Sequence, residues 1–207
     1  MRHCLIYNPQ AGTADRLKDF VLQLKPEDRC ELRPTFPQDG ARAIARQALD
    51  EGFHRIIAAG GDGTVSQVVS GIAPDFAEVE LAVLPMGTGN DLARSIGLGT
   101  DQFTSACRAV FGTSVAQIDL MQIECDGKKS WCVNVANGGL GGQVAADVES
   151  IDKQRWGRPA YWMTAVSHLS DLAVFDGELE LDTERIDLQT VGIAVANGRY
   201  VGGGFPI

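Results

Sequence analysis

The chain reads as α/β: a three-layer parallel-sheet domain over residues 1–118, followed at 119–207 by part of a mostly antiparallel β-sandwich domain with one inserted helix. Three observations predict this. Short apolar runs alternate with helical stretches as far as residue 111. Several runs end in turns rich in Gly, Pro or Asn, as strand–turn–helix units do. Beyond residue 115 the texture changes to alternating segments around the hairpin dipeptide Asp126-Gly127.

Taken in order, His3-Cys4-Leu5-Ile6-Tyr7 is the first strand, and Asn8-Pro9-Gln10-Ala11-Gly12-Thr13 turns into a helix over 14–24. A second strand at 29–35 runs into the turn Thr35-Phe36-Pro37-Gln38-Asp39-Gly40. The helix that follows, 39–51, carries Ala41, Ile44, Ala45, Ala48 and Leu49 at amphipathic spacing. Strands at 54–59 and 80–84 lead into helices at 64–72 and 90–96, and a further helical stretch covers 101–111. The first domain's last strand ends at Gln117-Ile118, just before Asp119. In the second part, 121–125 and 130–135 flank the hairpin turn, 178–181 and 186–196 read as strands, and 160–174 reads as a helix with apolar residues on one face.

The chemistry concentrates in the glycine turns. Gly60-Gly61-Asp62-Gly63-Thr64 joins the buried-strand run Arg55-Ile56-Ile57-Ala58-Ala59 to a helix that contains Val65 and Ser66. Glycines let backbone N–H groups approach phosphate oxygens, and a helix N-terminus adds partial positive charge. A lone carboxylate there repels phosphate, so Asp62 is useful if it orients Mg²⁺ or its water, or holds a hydroxyl. The plainer alternative is a tight turn in which Asp62 caps a helix. A second loop, Pro85-Met86-Gly87-Thr88-Gly89-Asn90-Asp91, follows the next strand. Adjacent parallel strands would place both loops at one carboxyl edge, where ligands bind in open α/β folds.

With these residues in view, the chain resembles the catalytic domain of diacylglycerol kinases and their bacterial lipid-kinase relatives. The segments that carry the resemblance are NPQAG at 8–12, TFPQDGA at 35–41, GGDGT at 60–64, PMGTGNDLAR at 85–94, VNVANGGLGG at 133–142 and VANGRYVGGG at 195–204. The resemblance implies an ATP-dependent phosphotransferase acting on a lipid hydroxyl. It implies nucleotide contacts at Asn8, Pro9, Gln10, Ala11, Gly12, Thr35, Gly60, Gly61, Asp62, Gly63, Thr64, Val65, Ser66, Gly87, Thr88 and Asn90. It also implies catalytic acids at Asp62, Asp91 and Asp119, with Asp62 and Asp91 holding Mg²⁺ through water. Asp119 reads equally as a strand-end residue, and Arg94 either neutralises phosphate or pairs with a neighbouring acid. The nucleotide would sit between the two domains. Family members continue by about a third of a chain beyond a point like Ile207, with an Asp-Gly segment tied to Mg²⁺ and a late acidic base. The chain is therefore expected to be a fragment or a shortened relative.

Bulk properties bound the partners. A net charge of −9 with pI near 4.8 argues against nucleic acid, which needs a basic surface. Cys4, Cys30, Cys107, Cys125 and Cys132 contain no Cys-x-x-Cys pair and suggest reduced thiols in the cytoplasm. His3, His54 and His168 lie too far apart to form a ligand motif. No signal peptide and no transmembrane run are expected. The lipid substrate would be met at the inner membrane surface, and a homodimer is allowed for. Lys153 to Trp162 gathers three cations and three aromatics, either as a headgroup interface or as the rim of a core helix. Two other readings stand beside lipid kinase: a soluble-substrate kinase of the NAD kinase type, which shares GGDGT, and a nucleotide- or lipid-binding chain without turnover. Walker and dinucleotide-binding glycine motifs are absent.

Overall fold

The computed structural model describes residues 1–9, 14–24, 30–36, 40–73, 75–98, 103–139 and 173–207. The chain divides into two compact units, one formed by 1–134 with 197–207 and the other by 135–196.

In the first unit, β1 (His3–Tyr7), β2 (Cys30–Pro34), β3 (Arg55–Gly60) and β4 (Glu80–Pro85) form one sheet in the order β2-β1-β3-β4. Every pairing is parallel, with His3 opposite both Cys30 and Arg55, and Arg55 opposite Glu80. Strand β3 is buried at all six positions, as an interior parallel strand covered on both faces must be. The connections are α1 (Ala14–Gln23), α2 (Ala41–Asp50), α3 (Asp62–Ile72), α4 (Asp91–Ser95) and α5 (Phe103–Ala109).

Side-chain alternation produces three layers. Cys4, Ile6, Ile56, Ala58 and Val83 face a core shared with Ile44, Ala45, Val65, Val68 and Val69. Leu5, Ile57, Ala59 and Leu84 face the opposite core with Phe20, Ala106, Cys107 and Val110. At the amino edge, Arg55 is only 5% exposed. Its Nε donates to Glu80 Oε2 at 2.7 Å and its Nη1 to the Val110 carbonyl at 2.6 Å, so one guanidinium ties β3 and β4 to the chain beyond α5. Burial pushes the Cys4 thiol up to about 12 and the Cys107 thiol to about 11. Both therefore behave as small apolar core residues, and no disulfide joins any of the five cysteines.

Three local differences from the sequence expectation have physical reasons. Helix α3 begins at Asp62 rather than at residue 64, because Gly61 is the extended N-cap and an acidic first residue suits the positive helix end. No strand precedes Asp119: residues 112–120 form no ladder, and Val115 and Ile118 are exposed. The hairpin strands are β5 (Met121–Cys125) and β6 (Lys128–Cys132), because a two-residue turn starts the second strand at 128 rather than 130. Asp126 and Gly127, at φ 51° and 71°, make the left-handed pair that a type I′ turn requires.

In the second unit, β7 (Val135–Gly139) pairs antiparallel with β10 (Gly192–Ala196), and β8 (Phe175–Glu180) with β9 (Arg185–Thr190). The chain then rejoins the first unit. There β11 (Tyr200–Val201) and β12 (Phe205–Pro206) pair across Gly202-Gly203-Gly204, whose φ values of 61°, 88° and 102° only glycine holds without strain.

Candidate functional site

Strand β1 lies between β2 and β3, so chain connections diverge from its carboxyl end and leave a crevice there, the usual ligand position in such sheets. The predicted loops gather at this edge. Asn8 and Pro9 follow β1 and are exposed. Thr35 follows β2 and is held by its N–H donating to the Tyr7 carbonyl at 2.8 Å. Gly60 ends β3 and Gly61 follows it, and residues 86–90 follow β4.

The two glycine loops touch through their backbones. The Met86 N–H donates to the Gly60 carbonyl at 3.0 Å. A Cβ built on Gly87 would lie 2.4 Å from the Gly61 Cα, so the approach excludes any side chain at Gly87. Asn90 holds the second loop in shape. It adopts the left-handed conformation (φ 54°, ψ 45°), which asparagine tolerates better than most residues. Its Oδ1 accepts the Gly87 N–H at 2.9 Å, and its Nδ2 donates to the Gly87 carbonyl at 2.6 Å.

Asp62 and Asp91 meet here. Asp62 Oδ1 accepts the Asp91 N–H at 2.7 Å, so the carboxylate of the first loop caps the helix that begins in the second. Gly89 lies close enough that a Cβ there would be 2.7 Å from Asp62 Oδ2. Asp91 is itself buried, at 6% exposure. Its Oδ2 accepts the Gly203 N–H at 3.0 Å, while its Oδ1 is buried with no hydrogen-bond partner among the described residues. Burial raises the pKa of Asp62, and the neighbouring Asp91 charge raises it further. Backbone N–H groups of Asp91, Leu92 and Asn90 partly offset both effects. Two crowded carboxylates, one with an orphaned oxygen, fit a cation or a protonated donor. Among the described residues no three His, Cys, Asp or Glu side chains form a metal cluster, so an ion held here would take water as further ligands.

The remaining predicted residues divide. Gly63, Ser66 and Thr88 are exposed beside the crevice, and Thr64 is half-buried. The Val65 side chain is core, 3% exposed, and its N–H is taken by the Gly61 carbonyl at 3.1 Å. Arg94 Nε donates to the Gly89 carbonyl at 3.1 Å and so supports the loop. Asp119 is exposed. Its carbonyl accepts Asn197 Nδ2 at 2.7 Å, and no hydrogen bond joins it to Asp62 or Asp91. Gln10, Ala11, Gly12 and the cationic–aromatic segment 153–162 lie outside the described residues.

The sequence reading marked 195–204 as a segment without assigning roles within it. The structure gives its residues work at the site. Besides the bond from Gly203 to Asp91, the Arg199 N–H donates to Ser95 Oγ at 2.9 Å, and Ser95 Oγ donates to the Asp91 carbonyl at 2.8 Å. The one sequence signal was the glycine triplet, which announces a special backbone but not its target 112 residues earlier.

Comparison with known proteins gives a consistent result. Residues 2–123 match the family described as "Diacylglycerol kinase catalytic domain". Proteins named "Probable lipid kinase YegS-like" are similar over 97% of this chain. That from Stenotrophomonas maltophilia (strain K279a) is 32% identical, and that from Pseudomonas aeruginosa (strain UCBPP-PA14) is 30% identical. This chain spans 66% and 64% of their respective lengths. A crystal structure of a diacylglycerol kinase from Bacillus anthracis str. Sterne is 25% identical with a TM-score of 0.74, covering 100% of this chain and 67% of that one.

Proposed function

Because the chain belongs to the diacylglycerol kinase catalytic domain family, we propose that it is part of an ATP-dependent lipid kinase that phosphorylates the hydroxyl of a lipid such as diacylglycerol. One observation carries this reading: two carboxylates, the half-buried Asp62 and the buried Asp91, are locked together at the carboxyl ends of β3 and β4, beside two glycine loops. Phosphoryl transfer needs little covalent help from a protein. It needs phosphates held in line and their growing charge balanced.

In this reading, N–H groups of Gly61, Gly63, Thr88 and Gly89 face the ATP phosphates, while that of Gly87 stays with Asn90. Asp62 and Asp91 would hold Mg²⁺ through water, and the ion would supply charge neutralisation. The bond from γ-phosphorus to the bridging oxygen breaks, a bond to the acceptor oxygen forms, and the hydroxyl proton passes to a carboxylate acting as general base. Residues 1–118 serve the nucleotide, 119–207 contribute to the acceptor side, and Asp119 lies near the reacting groups. The protein works in the cytoplasm at the inner membrane surface, and a homodimer belongs to the same reading. No helix among the described residues is long and apolar enough to cross a membrane.

The test is phosphate transfer from labelled ATP by the complete protein, to diacylglycerol in mixed micelles and, separately, to NAD⁺. Transfer to the lipid is expected, and Asp62→Asn is expected to lower it by about 10²–10³ while the fold persists. Transfer to NAD⁺ alone would replace this reading with a soluble-substrate kinase. ATP binding without any transfer would leave a binding protein.

A further inference from the structure

The segment that rejoins the first unit is pinned along its length. The N–H groups of Asn197 and Gly198 both donate to the Asn134 carbonyl, at 2.8 and 2.9 Å. The Arg199 N–H donates to Ser95 Oγ at 2.9 Å, and Asn134 Nδ2 donates to the Tyr200 carbonyl at 3.0 Å. The Gly203 N–H then reaches Asp91 Oδ2 at 3.0 Å. The fit is close: a Cβ on Gly198 would lie 1.7 Å from Asn134 Oδ1.

Asn197 also ties this segment to a second acid. Its Nδ2 donates to the Asp119 carbonyl at 2.7 Å and to the Val133 carbonyl at 2.9 Å. Two carbonyl partners fix the orientation of the amide, since only its NH₂ end donates. Residues 112–120 form no ladder, so the Asp119 backbone takes its place from this side chain rather than from a neighbouring strand. The segment 197–203 thus bonds the backbone of one acid and the carboxylate of another, which no hydrogen bond joins directly. A carboxylate oxygen held by one N–H shifts when that donor moves. Misplacing a reacting group by about 1 Å costs on the order of 10² in rate.

We infer that Asn197 is a positioning residue: with Ser95 it anchors the returning segment so that Asp91 and Asp119 keep a fixed separation, and it acts through those acids rather than on the reacting groups. The consequence for turnover rests on the kinase reading, whereas the anchoring is a property of the free protein.

Amide hydrogen exchange and phosphate transfer, both on the complete protein, test it. Asn197→Ala removes both side-chain donors. Asn197→Asp keeps the shape but turns an oxygen toward the two carbonyls. Each is expected to speed exchange of the Arg199 and Gly203 amides by about tenfold or more, while the Leu5 and Ile57 amides of the central strands keep their protection. Each is expected to lower kcat by about 10–10² with the KM for ATP within about twofold of the wild type. Ser95→Ala leaves the Asn197 bonds in place and is expected to act in the same direction with smaller effect, so it carries the test if the Asn197 variants do not fold. Unchanged Gly203 exchange overturns the inference. So does faster exchange with kcat within about twofold of the wild type, or protection lost across the whole sheet in Ser95→Ala as well, which would make the contacts structural only. If the wild type transfers phosphate to no acceptor, the kinase reading falls, and Gly203 exchange alone upholds or overturns the anchoring by Asn197.

Discussion

At the scale of single residues, Asp62 is the most constrained group in the site. It accepts the backbone N–H of Asp91 from a loop 29 residues away, and the Asp91 carboxylate crowds it. Burial and that second charge raise its pKa above the ordinary 3.8. The folded chain then binds this proton at pH values where the unfolded chain has lost it. Stability consequently falls as pH rises from 3.8 through the raised value, and the penalty is complete above it. Asparagine at 62 keeps an acceptor for the Asp91 N–H and removes the ionisation. The melting temperature of Asp62→Asn should match the wild type in acid and exceed it increasingly toward neutral pH. A difference that stays constant between about pH 3.5 and 7 would mean that the Asp62 charge is not strained in the free protein. None of this could be read from the sequence. GGDGT marks a glycine turn and places an acid in it, but spacing along one loop does not reveal that the acid caps a helix in another. Sequence reading did allow Asp62 to be a cap; the helix it caps is α4, not its own.

At the scale of elements, the legible part was the alternation of strand and helix. Strands β1, β3 and β4 lie within a residue of their sequence positions, because each is a short apolar run closed by Gly, Pro or Asn. The end of α3 nearest the site was less legible, because Gly63 argues for a loop when read locally. In the structure Gly63 is helical, and a Cβ there would meet nothing within 4 Å, whereas one on Gly87 would press into the Gly61 backbone. Two glycines of similar sequence context therefore carry opposite requirements. Gly87→Ala should cost about 1–3 kcal/mol, since backbone cannot yield as a side-chain tip does. Gly63→Ala should be neutral or gain up to about 1 kcal/mol from reduced unfolded-state freedom. Urea denaturation of the two variants measures both, and equal effects would remove the packed-loop account of the site. Neither residue 63's freedom nor the return of 197–204 to Asp91 leaves a periodic trace, so pattern reading had no purchase on them.

At the scale of the whole molecule, charge and proposed substrate pull in opposite directions. The chain carries 27 acidic against 18 basic residues. The cytoplasmic leaflet is also negative, so under the proposed function this chain would approach a lipid substrate there against a repulsive field. Salt shortens that field, from a reach of about 30 Å at 0.01 M to about 8 Å at 0.15 M. Apolar contact with the acyl boundary is nearly independent of salt over this range. For a basic peripheral protein, added salt releases it from anionic vesicles; for this chain the sign reverses. Flotation with vesicles containing roughly one-third anionic lipid should recover more protein as NaCl rises from about 10 to 150 mM, and neutral vesicles should show little change. Recovery that falls with salt would mean that a local basic surface, with the Lys153 to Trp162 segment the first candidate, outweighs the net charge. Replacing Lys153, Arg155 and Arg158 with glutamine would then restore the rising trend, and the headgroup-interface reading of that segment would take precedence over the core-rim reading.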